Sequence, residues 1–194
     1  MGGFNVMQIK KSKLFNLINE ELKNSVHLKK FENMNKLLLN QAVKESSLNV
    51  FAERYESHLD DKSVGIFQLL TSTINWLGFE YEDETDYFKP ENQVKFAIKY
   101  LEWLYSKFSE IRNPHERLKF TFSAYNMGRL NVNKGLKKCR ELEKIYYCGK
   151  NTMQGKWCIY DNMIKVIKKY EIIKLENAEI NERYINFIFM DNKI

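Results

Sequence analysis

Among the side chains of this sequence that could do chemistry, Glu45 stands out by its setting. Met34, Leu38, Gln41, Ala42 and Glu45 recur at the spacing of one helix face, so a carboxyl group shares a stripe with residues that should face a core. Apolar surroundings disfavour an ionised carboxyl, and this is a general way to keep an acid protonated near neutral pH, ready to donate to a leaving group. The same spacing suits an ordinary helix-end glutamate turned to solvent, so other residues have to decide between the two. Further along, Gly65 permits close backbone approach and Gln68 interrupts the apolar run Ile66, Phe67, Leu69 and Leu70. An amide so placed either bonds nearby backbone or faces a cleft that takes a neutral polar ligand such as a sugar. Tyr125 and Asn126, followed by the helix-stopping Gly128, place a phenol and an amide at one rim, where both could face a carboxylate and a ligand. Glu53, Glu56, Asp60 and Asp61 form an acidic cluster that reads as a solvated loop, with a second working carboxylate as the alternative.

The elements that must position these groups are helical. An amphipathic helix is expected from Asn5 to about Asn24, and the helix ending in Glu45 begins near Phe31. Leu48 to Lys62 reads as irregular, and Thr71 to Gly78 as a short helix with Trp76 and Leu77 on its apolar side. Val94, Ile98, Leu101, Leu104, Tyr105 and Phe108 mark a long core helix from Glu91 to about Ser109. Asn113-Pro114 signals the start of the next, which buries Leu118, Phe122 and Tyr125. A basic helix from about Val132 to Lys144, a loop around Gly149 to Lys156 and a helix from about Ile159 to Tyr170 follow. The apolar residues Tyr184, Ile185, Phe187, Ile188 and Phe189 should pack on the domain or on a partner.

Composition bounds the function. The 194 residues, 44% hydrophobic and 29% charged with only 8 glycines and 2 prolines, suit one mainly α domain. A net charge of +6 attracts polyanions, but no basic, aromatic-interleaved nucleic-acid module is present, so no nucleic-acid partner is expected. Cys139, Cys148 and Cys158 lack paired spacing and lie far from His27, His58 and His115, so neither a metal nor a cofactor site is expected. The cysteines are expected to remain thiols, although Cys148 and Cys158 could pair in an oxidising compartment. No secretory signal follows Met1 and no apolar run is long enough to span a bilayer.

Three stretches in this order, Ala42-Val43-Lys44-Glu45-Ser46-Ser47, Ser63-Val64-Gly65-Ile66-Phe67-Gln68 and Ala124-Tyr125-Asn126-Met127-Gly128, resemble the soluble lytic transglycosylases, which share a lysozyme-like fold with goose-type lysozymes. Asn49 to His58 is similar to a segment of phage and prophage members, with Val50 and Ser57 in place of two prolines. The resemblance covers roughly residues 31–170. It implies an N-terminal helical extension (1–30), a lysozyme-like domain (31–172) and a C-terminal tail (173–194). It also implies that Glu45 is the acid/base cleaving peptidoglycan between N-acetylmuramic acid and N-acetylglucosamine, with Tyr125 holding that acid. Ser46 would open the loop after it, and Ser63, Gly65, Gln68 and Asn126 would bind substrate. A single glutamate suffices for the transglycosylase; a hydrolytic muramidase would need a second carboxylate from Glu53, Glu56, Asp60 or Asp61. A non-catalytic virion or cell-wall-binding protein is the remaining alternative. The phage-like segment, the missing signal and the apolar tail together suggest a product carried on a virion, with other phage tail proteins as partners, or delivered to the bacterial periplasm and cell wall.

Overall fold

The computed structural model describes residues 7–79, 83–146 and 159–190. It is mainly helical with one small sheet, a lysozyme-like helical architecture. The chain divides into two compact units, one of Met1–Glu102 with Ile188–Ile194 and one of Trp103–Phe187, and the first division falls inside a helix.

The first unit opens with α1 (Lys11–Leu22), which buries Leu14, Ile18 and Leu22. It starts six residues later than the apolar pattern suggests. Ile9 is buried, but in an extended segment: Gln8 forms an antiparallel bridge to Asn49, with Ile9 N–H donating to Leu48 O at 3.1 Å and Val50 N–H to Met7 O at 3.0 Å. Helix α2 (Met34–Ser46) buries Met34, Leu37, Leu38, Gln41 and Ala42, which is the expected stripe, and leaves Glu45 half-buried at its end.

Residues 48–62 are not irregular. They contain β1 (Glu53–Glu56), which pairs antiparallel with β2 (Asp61–Val64), and β2 pairs in turn with β3 (Leu69–Leu70). Arg54 faces Ser63 and Glu56 faces Asp61 in this register. The strand residues of β1 are mostly exposed and charged, so no apolar alternation marks them in the sequence; backbone pairing alone makes the strand. Helix α3 (Thr71–Trp76) follows. Ile74 and Leu77, three apart, take the buried face, and Trp76 is turned out at 57% exposure, contrary to the expectation that it packs.

A 3-10 turn (Glu84–Phe88) leads to α4 (Pro90–Lys107), whose Val94, Ile98, Leu101, Leu104 and Tyr105 are buried as the pattern requires; Phe108, just beyond its end, is buried too. The unit boundary lies between Glu102 and Trp103 on this helix.

In the second unit, Asn113 caps α5 (Pro114–Met127) by accepting from the N–H groups of His115 and Glu116 at 3.0 and 3.1 Å. α5 buries Leu118, Phe120, Thr121, Phe122, Ser123 and Ala124 and stops at Gly128, where φ of 82° favours glycine. Helix α6 (Arg129–Tyr146) packs against α7 (Tyr160–Lys169), and Gly135 lets them meet: a Cβ there would fall 2.6 Å from Ile167 Cδ1. The apolar C-terminal region forms α8 (Leu175–Ile188), with Ala178, Asn181, Tyr184, Ile185 and Ile188 buried. Cys139 is buried; Cys148 and Cys158, and with them the disulfide alternative, lie outside the described residues, as does the loop around Gly149 to Lys156.

Candidate active site

Glu45 sits at a junction that the backbone crosses in an unusual way. After Ser46 the chain takes two consecutive left-handed residues, Ser47 at φ 54° and Leu48 at φ 67°, and Gln68 is a third at φ 49°. Left-handed non-glycine residues cost of order 1–3 kcal/mol each and persist only where surrounding contacts over-determine them. Here those contacts are visible. Leu48 is buried, and the bridge to residues 7–9 pins the segment that leaves α2.

Ser46 and the Ser63–Gln68 segment are joined directly. Ser46 Oγ donates to Ile66 O at 2.8 Å, and Ile66 N–H donates to Gln93 Oε1 at 2.8 Å, so the peptide groups on both sides of Ile66 are held. Gln93 is 3% exposed, and its Nε2 donates to Val50 O at 3.0 Å and Tyr87 O at 2.8 Å. One buried amide thus ties together the chain segments of Ile66, Val50 and Tyr87. Gly65 makes room for it: at φ 73°, a Cβ would lie 2.5 Å from the Gln93 amide.

Gln68 and Ser63 brace the same segment from within. Gln68 Nε2 donates to Ala52 O at 3.1 Å and Gly65 O at 3.0 Å. Ser63 Oγ lies 3.1 Å from both Gln68 Oε1 and Glu56 Oε1 and 3.3 Å from Arg54 O, three acceptors for one hydroxyl proton. Of the two readings open for the Gln68 amide, these contacts are those of an amide bonded to nearby backbone.

Each of the four acidic-cluster residues has a local partner. Glu53 pairs with Lys62 at 3.8 Å, Glu56 accepts from Arg54 Nε at 2.6 Å, and Asp60 accepts from the Tyr55 hydroxyl, which raises the phenol above its usual range. Asp61 accepts from the hydroxyls of Thr71 and Ser72, each at 2.5 Å, and from Ser72 N–H at 3.3 Å, bracing the first turn of α3. Burial pushes the Asp61 carboxyl up, but the Ser72 and Thr71 hydroxyls and the N–H groups of Lys62 and Ser72 outweigh it and hold the carboxyl below its ordinary value.

Two polar residues of consequence escape a reading by motif. Gln93 lies on the buried stripe of α4, one position before Val94, and a polar residue on such a stripe is the signal that could find it. Gln41 is 0% exposed, one turn before Glu45 on α2, and neither its Oε1 nor its Nε2 has a hydrogen-bond partner among the described residues.

In the second unit Tyr125 and Asn126 occupy the last turn of α5, both half-buried. Asn126 Oδ1 accepts from Asn181 Nδ2 of α8 at 2.9 Å. Among the described residues there is no group of three or more His, Cys, Asp or Glu that could hold a metal ion, and no helix is long and apolar enough to cross a membrane.

Comparison with curated proteins returned no match. The family model described as transglycosylase SLT domain does match, over residues 24–148, which takes in α2, the sheet, α4, α5 and α6 and every candidate residue above except Asn181. With well over half its length in that match, the chain belongs to the transglycosylase SLT domain family.

Proposed function

We infer that this member of the transglycosylase SLT domain family is a lytic transglycosylase domain acting on peptidoglycan. We propose that it cleaves the β-1,4 bond between N-acetylmuramic acid and N-acetylglucosamine, with Glu45 as the single acid/base, and that it forms a 1,6-anhydromuramic acid end. The observation that carries this reading is the half-buried Glu45 at the end of α2, followed by residues locked through Ser46, Ile66 and Gln93.

Glu45 as the neutral acid gives its proton to the glycosidic oxygen while the bond from that oxygen to C1 of the muramyl residue breaks. The resulting carboxylate takes the proton from the muramyl 6-hydroxyl, and that oxygen bonds to C1. The carboxylic acid is thereby regenerated and no water is consumed. Tyr125 is assigned a part in catalysis on its resemblance to the family's helix-end motif, Ala124 to Gly128, alone. Ser46, Ser63, Gly65 and Gln68 shape the substrate-binding segment, and Asn126 offers an amide to the glycan.

Hydrolysis by a goose-type muramidase mechanism is the second reading, because Glu53, Glu56, Asp60 and Asp61 lie on and beside the hairpin that follows α2. Each of the four has a local partner, and the single-acid route calls on none of them. The phage-like Asn49 to His58 segment supports a phage or prophage origin, with the protein carried on the virion and delivered to the cell wall. Mass spectrometry of purified virions that finds none of this chain would remove that part of the proposal.

Digestion of purified peptidoglycan by wild type and Glu45→Gln tests the enzymatic reading. Anhydro-muropeptides that vanish with the substitution support it, reducing ends favour the muramidase, and the absence of any Glu45-dependent product leaves only a binding role.

A further inference from the structure

The side chain of Asn181 is 0% exposed and uses its full hydrogen-bonding capacity. Its Nδ2 donates to Ser123 O at 3.3 Å and to Asn126 Oδ1 at 2.9 Å, and its Oδ1 accepts from Ser123 Oγ and from the Tyr160 hydroxyl, both at 2.9 Å. Tyr160 is itself buried, with its ring edge-on to Phe120 at 6.1 Å, and burial pushes its phenol well above the usual range, so it stays a donor. Asn181 and Tyr160 both lie beyond the family match, which ends at residue 148.

The polarity of this network is fixed by one group that cannot be reversed. Ser123 O is a backbone carbonyl and can only accept, so the nitrogen of Asn181 must face it. That nitrogen has a second proton, directed at Asn126, so the oxygen of Asn126 must face inward. The amide nitrogen of Asn126 is then turned away from the network, and it has no partner among the described residues.

We propose that Asn181 is a positioning residue that sets the amide orientation of Asn126, so that the last turn of α5 presents an N–H donor and selects an acceptor oxygen on the ligand. The acceptor class that fits is a carbonyl or hydroxyl oxygen of a neutral glycan. The assignment of the ligand rests on the function proposed above, whereas the orientation of the amide does not. In this account the C-terminal helix reaches Asn126 through the buried amide of Asn181.

The orientation is read without any substrate by asparagine-selective isotope labelling of the wild-type chain and amide-proton exchange. The Asn181 side-chain protons should exchange slowly and those of Asn126 fast; slow exchange at Asn126 with fast exchange at Asn181 overturns the proposal. Kinetics supply the second arm. Asn181→Asp retains acceptors for Ser123 and Tyr160 but confronts Ser123 O and Asn126 Oδ1 with an oxygen, so Asn126 should flip and kcat/KM on glycan strands should fall about tenfold or more, mainly through KM. In an Asn126→Ala background only the clash with Ser123 O remains, so the same substitution should cost at most about twofold. A loss of about tenfold there shows that Asn181 acts on the fold rather than through Asn126, and sinks the proposal. If the wild type cleaves no glycan, the functional reading fails while the exchange measurement still decides the orientation.

Discussion

Replacing Gln93 with leucine keeps nearly the same volume and removes three hydrogen bonds at once. Ile66 N–H loses its acceptor at 2.8 Å, and Val50 O and Tyr87 O lose donors at 3.0 and 2.8 Å. An orphaned buried N–H costs about 1–3 kcal/mol, and each lost bond to a carbonyl, which keeps a second lone pair, costs about 0.5–1.5 kcal/mol. The expected loss is therefore about 2–6 kcal/mol, a large share of the roughly 5–15 kcal/mol that holds a typical domain. In urea, with a slope of about 2 kcal/mol per molar, the unfolding midpoint followed by circular dichroism should fall by about 1–3 M. Gln93→Glu provides a check on the cause. It keeps the acceptor for Ile66 but must be protonated to donate to either carbonyl, so its deficit should shrink as pH falls. Activity should suffer as well, because Ile66 is held on its other side by Ser46, the residue next to Glu45. A Gln93→Leu protein that loses less than about 1 kcal/mol would refute the claim that this amide locks the segment.

Other substitutions probe separate parts of the account. Gln41→Leu should raise stability by about 1–3 kcal/mol, because it removes a buried amide that has no partner among the described residues; a lower thermal midpoint would show that the amide is satisfied in solution. Burial pushes the Glu102 carboxyl up, but the N–H of Leu28, the His27 ring at 2.7 Å and the His27 N–H outweigh it and leave the carboxyl below its ordinary value of 4.5. A carboxyl depressed in the folded state stabilises above its unfolded value and loses that contribution as pH falls through the folded one. The stability gap between wild type and Glu102→Gln should thus be full above about pH 5 and close on acidification below about pH 4. A gap that stays constant from neutral pH to pH 3 would contradict this assignment.

Periodicity made the helices legible where one face carries the burial. The stripes of α2 and α4 and the Asn113-Pro114 start of α5 could be read directly, because spacing and capping follow from helix geometry. The hairpin of β1 and β2 could not be, since its outward residues are charged and its stability comes from backbone pairing and from contacts distant in sequence such as Gln68 Nε2 with Ala52 O. The extended Gln8 segment failed for a related reason: its bridge partner Asn49 lies 41 residues downstream, beyond any local pattern. The ordered motifs pointed to Glu45, Gln68 and Tyr125, whereas two buried amides on helix faces, bonded to the segments around Ile66 and Asn126, carry no motif. Gln93 and Asn181 each interrupt an apolar stripe, and a helix-by-helix search for polar residues on buried faces would have found both.

The central claim is that one carboxyl, Glu45, does the whole reaction and that the muramyl 6-hydroxyl takes the place of water. Digestion of peptidoglycan in heavy-oxygen water reads this directly in the product masses. The account predicts muropeptides lighter by one water than the hydrolytic product, with no heavy oxygen at the muramyl end and none formed by Glu45→Gln. Reducing muropeptides that carry heavy oxygen would contradict it and would move the search to a second carboxylate.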